Sequence, residues 1–158
     1  MKPSIKKDIE NRADIDRLLT EFYSRAIGDE KIGYIFTDVA KLDLAHHLPI
    51  IGDFWETLLF RTGDYSRHGR NPIEVHRKLD QLTPLLPEHF ERWLEIFATV
   101  IDSLFEGEVA EFAKTRAEAI ARRMLESMGR GNSSPSKPEV SCKTLRVVDK
   151  YFSVIDPY

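Results

Sequence analysis

Apolar side chains recur every three to four residues along much of the chain, which is the spacing of one face of an α-helix. The first stripe runs through residues 15–26 and is followed by Gly28, a residue that often ends a helix. A second stripe covers residues 44–60 and contains Pro49, so its regular part is expected to begin near Leu48 or to bend there. Both stripes predict helices with one buried side.

The second half of the chain predicts three more helices. A short one covers residues 73–82, and Pro84 and Pro87 then interrupt the chain. The clearest apolar stripe follows at residues 90–104, and the last core helix is expected over residues 108–128. Because strand-like patterns are few up to that point, the sequence predicts an all-α fold of about five or six helices.

The chain divides by composition into a domain and an appendage. Its 158 residues are 42% hydrophobic and 31% charged, which is typical of a globular domain with a real core. We expect this domain to span residues 1–128. Residues 129–141 are rich in Gly, Ser and Pro and predict a flexible linker. Residues 142–158 then form a C-terminal tail to which the sequence assigns no role.

Charge and motifs argue against several function classes. The formal net charge of -3 offers no basic excess for phosphates, so no nucleic-acid partner is expected. Residues 1–17 are charged and lack the apolar core of a signal or anchor, which predicts no membrane association and a cytoplasmic location. The single cysteine, Cys142, allows neither an internal disulfide nor a Cys-based zinc site. The common signatures of zinc peptidases, nucleotide-binding proteins and serine hydrolases are absent from the sequence.

Polar side chains are interleaved with aromatic ones on the predicted helix faces. A buried tyrosine hydroxyl or tryptophan N–H needs a hydrogen-bond partner, and one face of the second helix also carries a histidine. The residues concerned are Tyr23, His47, Ile51, Phe54, Trp55 and Trp93. Spacing alone leaves two interpretations open: ordinary core aromatics with hydrogen-bonded tips, or the wall of a cavity that holds a polar ligand.

Taken in order, several short stretches of the chain resemble the group III truncated haemoglobins, a branch of the bacterial globins. Each stretch is a weak motif alone, but the order and spacing of the set are specific. The stretches are Phe22-Tyr23, Tyr34-Ile35-Phe36, His47-Leu48-Pro49 leading into Asp53-Phe54-Trp55, Thr62-Gly63-Asp64-Tyr65, Val75-His76-Arg77 and His89-Phe90-Glu91-Arg92-Trp93-Leu94. The resemblance covers residues 14–128 and implies a truncated globin fold, a helical sandwich around a haem (protoporphyrin IX iron).

The resemblance also implies a role for each matching position. His76 corresponds to the proximal ligand of the haem iron, and a neutral imidazole is a good iron ligand. The implied haem contacts are Phe36, Ile51, Phe54, His76 and Trp93, and the implied distal ligand-binding residues are Tyr23, His47 and Trp93. His89 is the rival to His76, but it lies in the first turn of its helix beside Pro87, which favours a side chain that faces solvent.

The implied function is binding of dioxygen and other diatomic ligands at ferrous haem iron, with His47 as the residue that opens or closes the pocket. Nitric-oxide or peroxide chemistry is a second option. Since no flavin or nicotinamide site is visible, such chemistry needs an external electron donor, and the question of enzymatic activity stays open. The alternative from another class is a haem-free helical interaction or sensor domain whose aromatic residues only build a core.

Overall fold

Five α-helices and two short helical turns make up residues 5–130, the part of the chain that the computed structural model describes. The helices are α1 (Arg12–Ile27), α2 (Leu44–Phe60), α3 (Pro72–Leu82), α4 (Pro87–Leu104) and α5 (Glu108–Ser127). A π-helical turn, Ile35–Val39, precedes α2, and a 3₁₀ turn, Tyr65–His68, follows it. Within residues 5–130 no strand occurs, and the all-α prediction is confirmed. The expected linker and tail lie outside the described residues, except for Gly129 and Arg130.

Local side chains set the start of the first three helices. Asn11, Asp43 and Asn71 each accept a hydrogen bond from a backbone N–H in the first turn of α1, α2 and α3, respectively. The Asp43 cap places the start of α2 at Leu44, so the first of the two expectations, a regular start near Leu48, is wrong, whereas a bend there stays a prediction. The helix continues through Pro49, whose carbonyl accepts a hydrogen bond from the side chain of Arg12 at 3.1 Å.

Helix α5 is capped by a residue from the other end of the domain. The Asp8 carboxylate accepts hydrogen bonds from the backbone N–H groups of Val109 and Ala110, at 2.9 and 2.8 Å. Gly107 precedes the helix with a φ of 153°, and a Cβ there would lie 2.3 Å from the side chain of Asp8. The close approach of Asp8 therefore requires glycine at this position.

The core lies where α1 packs against both α2 and α4, and where α4 packs against α5. Aromatic rings fill the centre: Phe97 is fully buried, stacks on Trp93 at 5.3 Å between ring centroids, and stacks on Trp55 at 5.0 Å. Alanines on the facing side of α5 allow α4 to approach closely. These alanines are Ala110, Ala113 and Ala117, each at most 1% exposed. None of the helices within residues 5–130 has the length and apolar character needed to cross a bilayer.

Helix α3 differs from the rest, since none of its residues is buried. It packs against α5, and its C-terminal end is held by the last described residue, Arg130. The Arg130 guanidinium donates to the Asp80 carboxylate and, at 3.3 Å, to the carbonyl of Leu85. The Asp80 carboxylate also accepts from the backbone N–H of Leu85 at 2.8 Å. A residue from the segment expected to be linker thus contacts the helix that carries His76.

A buried carboxylate joins α1, α2 and the 3₁₀ turn. Asp53, which is 6% exposed, accepts hydrogen bonds from Arg12 at 2.6 Å, from Arg67 at 2.8 Å and from His68 Nε2 at 2.7 Å. Burial by itself raises the pKa of Asp53, but these hydrogen bonds outweigh it and hold the pKa at about 2. The carboxylate therefore contributes stability only in its charged form.

We expect Asp53→Ala to lower the free energy of unfolding by about 1.5–3 kcal/mol, the range for hydrogen bonds to charged groups. The partly exposed side chains of Arg12 and Arg67 can be hydrated after the change, which keeps the loss below that of a fully buried pair. Because the folded pKa, about 2, lies below the ordinary 3.8, this stability is present above pH 3.8 and is lost as the pH falls through 2.

Urea unfolding at neutral pH and along the acid limb measures both effects. The matched control is Asp16→Ala, which removes an exposed carboxylate that also pairs with Arg12. We expect that control to cost less than about 1 kcal/mol, as for other exposed pairs. Equal losses in the two variants, or an unchanged acid limb in Asp53→Ala, would show that the buried network does not stabilise the fold.

Candidate cofactor pocket

A cavity of about 230 Å³ lies among the helices, and every described helix and both helical turns contribute to its wall. Most of the lining side chains are aliphatic or aromatic. The polar exceptions are Tyr23, His47, Tyr65, Arg70, His76, His89 and Trp93. All seven site residues expected from the sequence line this one cavity: Tyr23, Phe36, His47, Ile51, Phe54, His76 and Trp93. The fold therefore brings together positions that are as far apart in sequence as α1 and α4.

His76 lies in the middle of α3, and its ring is fixed by its own helix. Its Nδ1 donates a hydrogen bond to the carbonyl of Pro72 at 2.7 Å, and that oxygen can only accept. Desolvation of the ring in the cavity wall lowers the pKa of His76, which favours the neutral ring, although the bond to Pro72 acts in the opposite direction. A neutral imidazole carries one N–H hydrogen. Because this hydrogen is on Nδ1, Nε2 keeps a free electron pair.

His89 also lines the cavity, but its ring has the opposite tautomer. The backbone N–H of Leu86 donates to His89 Nδ1 at 3.0 Å, so the neutral ring carries its hydrogen on Nε2. The side chain caps the first turn of α4 in this way. The expected solvent-facing orientation is wrong, since His89 is half-buried in the cavity wall. Its Nε2, however, has no free electron pair for a metal.

Tyr23 and His47 form a hydrogen-bonded pair between α1 and α2, with 2.8 Å between the hydroxyl oxygen and Nε2. Burial raises the pKa of Tyr23 well above its usual value, so the hydroxyl keeps its hydrogen. Burial, with a contribution from the charge of Arg70, lowers the pKa of His47 to about 4, so the ring is neutral at neutral pH. When Nε2–H donates to the Tyr23 oxygen, the phenolic hydrogen is available to a third group in the cavity.

Trp93 brings a second hydrogen-bond donor to the cavity from α4. Its indole is half-buried and is held by stacking on Phe97, with 5° between the ring planes. Among residues 5–130 no acceptor bonds to the indole N–H, so this residue of the cavity wall has an unpaired donor. Phe36, from the π-helical turn, meets the Tyr23 ring edge to face at 5.9 Å.

Two polar residues of the cavity wall, Tyr65 and Arg70, were not singled out by the sequence. Both lie in the segment between α2 and α3, where helical periodicity gives no signal. The resemblance did include Tyr65 as a matching residue, but it assigned no role to it. The two side chains are identified as part of the cavity wall only by the path of this segment in the structure.

An all-α fold in which helices pack around an apolar cavity, with histidines from several helices in its wall, is the arrangement found in proteins of the globin class. The crystal structure of a group III truncated haemoglobin from Campylobacter jejuni has this fold, with a TM-score of 0.66 and 28% sequence identity. The match covers 77% of this chain and 94% of that one.

Sequence comparison leads to the same group. The chain is 31% identical over 114 residues to the group 3 truncated haemoglobin of Campylobacter jejuni, and the match covers 70% of this chain and 85% of that relative. The chain therefore belongs to the group III truncated haemoglobins, and the resemblance found in the sequence is confirmed. No general family model matches it.

Proposed function

We propose that the chain binds haem in this cavity, with His76 Nε2 as the ligand of the iron. The observation that carries the proposal is the hydrogen-bond partner of Nδ1 in each of the two histidines, from which the tautomers follow. The carbonyl of Pro72 fixes the hydrogen of His76 on Nδ1, whereas the N–H of Leu86 fixes that of His89 on Nε2. Of the two candidate histidines, His76 alone presents a free electron pair on Nε2, and metal-bound histidines commonly donate their other N–H to a carbonyl in this way.

The cavity wall fits a large apolar group. Helix α3 buries none of its residues, although Val75 and Leu79 line the cavity, and Val75 is 44% exposed. An apolar side left uncovered in this way is costly in water, and a flat macrocycle in the cavity would cover it. Phe36, Ile51 and Phe54 supply further apolar surface for that group. When bound, haem supplies an iron that takes diatomic ligands while ferrous.

The chain's own donors give such a ligand a polar environment inside an apolar cavity. The Tyr23 hydroxyl and the Trp93 indole N–H are two donors of residues that line the cavity, and the Tyr23 hydrogen is available when His47 Nε2–H donates to the phenolic oxygen. Charge-assisted hydrogen bonds are about twice as strong as neutral ones, so these donors favour ligands that carry negative charge. Dioxygen and related diatomic molecules are accordingly the proposed ligands.

Nitric-oxide or peroxide chemistry is a finer version of the same proposal. The hydrogen-bonded pair of Tyr23 and His47 supports it, because the pair places a transferable hydrogen beside the ligand space. The electrons would come from an external donor. Ligand binding without turnover requires only the pocket with its haem. Ligand binding is therefore the function that the geometry supports best.

We expect the purified protein to show a Soret band and to bind haem in a one-to-one ratio when haem is added to the haem-free form. Absorption titration with haem, and with carbon monoxide after reduction, measures both. The competing function, a haem-free interaction or sensor domain, predicts no Soret band and no saturable binding. That result would contradict the proposal that the chain binds haem.

A further inference from the structure

Two leucines at the corner between α3 and α4 are exposed, although both side chains are large and apolar. The corner is the turn over residues 82–86. Leu82 is 73% exposed and Leu86 is 37% exposed, and Pro84 between them is exposed as well. Neither leucine lines the cavity, so a molecule bound there would leave both uncovered. The corner therefore has apolar surface in water that the cavity does not account for.

Helix α5 brings the end of the described chain to this same corner. Gly129 follows the helix with a φ of 74°, and the N–H of Arg130 bonds to the carbonyl of Leu125 at 2.9 Å, which closes the last helical turn. The Arg130 guanidinium then contacts the corner through the Asp80 carboxylate and the Leu85 carbonyl. The chain that continues beyond residue 130 thus starts from an existing contact with the corner.

The sequence beyond residue 130 contains an apolar segment within reach of the two leucines. Residues 131–144 are mostly small and polar, and a flexible linker of that length spans about 20 Å on average. After it, apolar residues recur every three to four positions, which is typical of an amphipathic segment. They are Leu145, Val148, Tyr151, Phe152 and Ile155. Because a short linker keeps the segment at a high local concentration, even weak contacts with the corner are populated.

The charges on the two surfaces are complementary. Glu88 and Glu91 are exposed at the start of α4, directly after the corner, and neither has an ion-pair partner among residues 5–130. Basic residues outnumber acidic ones between residues 143 and 150, with Lys143, Arg146 and Lys150 against Asp149. Exposed ion pairs contribute little energy, but such complementarity favours one partner and one orientation over others.

We propose that residues 145–155 dock on the corner between α3 and α4 of the same chain, with their apolar side against Leu82 and Leu86. Their basic residues then lie beside the acidic start of α4. The segment to which the sequence assigns no role thereby covers the outer end of the helix that carries His76. The docking requires no haem, because neither leucine belongs to the cavity wall.

The test uses the full chain and its one cysteine, Cys142, which lies three residues before the apolar segment. A nitroxide attached to Cys142 broadens the backbone NMR signals of residues that come close to it. We expect broadening at residues 82–88. Leu82→Ser and Phe152→Ser each remove one apolar contact, so each should lower the docking equilibrium constant about tenfold and weaken that broadening. The ferrous carbon-monoxide form is diamagnetic and suits the measurement. If no haem binds, the proposed function fails, and the haem-free chain still tests the docking.

The matched control is Ile5→Ser. Ile5 is 93% exposed but lies at the other end of α4, where the neighbouring Lys6 contacts the carbonyl of Asp102. This change should leave the broadening as it is. The docking is refuted if Phe152→Ser leaves the broadening unchanged, or if Ile5→Ser weakens it as much as Leu82→Ser does.

A mixed sample distinguishes docking within one chain from docking between two copies. An isotope-labelled Cys142→Ser chain is mixed with a spin-labelled chain that carries no isotope, so that only contacts between copies broaden its signals. We expect no broadening at residues 82–88 in this sample. Broadening as strong as that within the single spin-labelled chain would show that the segment docks on a second copy, which would overturn the proposal.

Discussion

His76→Gly is expected to weaken haem binding by more than about hundredfold, which is the upper end of the loss when only a partner of a metal ligand is removed. The reason is that Nε2 of His76 holds the free electron pair in the wall of the cavity, while Nδ1 is held by the carbonyl of Pro72. Release of haem to a scavenging protein gives the affinity change, and the ferrous spectrum reports the loss of the histidine ligand. Added imidazole should restore part of that spectrum by occupying the space that the side chain leaves.

The control for this prediction is His89→Ala. The His89 ring caps α4 by accepting from the N–H of Leu86, so its loss should cost about 1 kcal/mol of stability. It should leave the haem spectrum and the release rate nearly unchanged. The assignment of His76 is wrong if His76→Gly retains haem as tightly as the parent protein does, or if His89→Ala is the variant that loses it.

Tyr23→Phe is expected to speed dioxygen release by about ten- to hundredfold and to leave carbon monoxide release nearly unchanged. Bound dioxygen carries partial negative charge and bound carbon monoxide carries little, so a donor in an apolar pocket stabilises dioxygen selectively. A hydrogen bond to a charged group contributes roughly 1.5–3 kcal/mol, which corresponds to that range of rates. The substitution removes the hydroxyl with almost no change of shape, and stopped-flow release of the two gases measures the outcome.

His47 and Trp93 both bear on the expected result for Tyr23→Phe. In the structure the Tyr23 hydroxyl is 2.8 Å from His47 Nε2, so the ring competes for the phenolic hydrogen unless it donates its own. Trp93→Phe should change the rates in the same direction as Tyr23→Phe, though it also opens space in the pocket. The two effects need not add, because both donors share one ligand. Equal small changes for the two gases in Tyr23→Phe would show that the hydroxyl does not face the ligand.

The helices of this protein follow from its sequence because their signals are local. Apolar spacing gave the type and order of the five helices, and a cap such as Asn71 lies within a few residues of the helix that it starts. The error at the start of α2 has the same local origin. Pro49 was taken to mark either the start of the regular helix or a bend in it, but the Asp43 cap and the bond from Arg12 to the Pro49 carbonyl stabilise the turn before it.

Contacts between distant segments carried no such signal. The cap of α5 comes from Asp8, 101 residues before the N–H of Val109 that it accepts from, and no pattern along the chain relates the two. Arg130 contacts Asp80 and Leu85 from a segment whose composition predicted a linker. Side chains pair in this way only after the helices have packed, so the spacing of residues in the sequence does not predict these contacts.

For the pocket, too, some features follow from the sequence and others only from the tertiary structure. By itself the sequence determined the helices, the order of the matching stretches and hence the family, and it named seven of the residues that line the cavity. Only the tertiary structure decided which nitrogen of His76 and of His89 carries the hydrogen, and that Arg70 lies at the cavity without a carboxylate partner among the described residues. The physical reason is that periodicity reports which face of a helix is buried, whereas a tautomer or an ion pair depends on a partner atom that the fold puts in place.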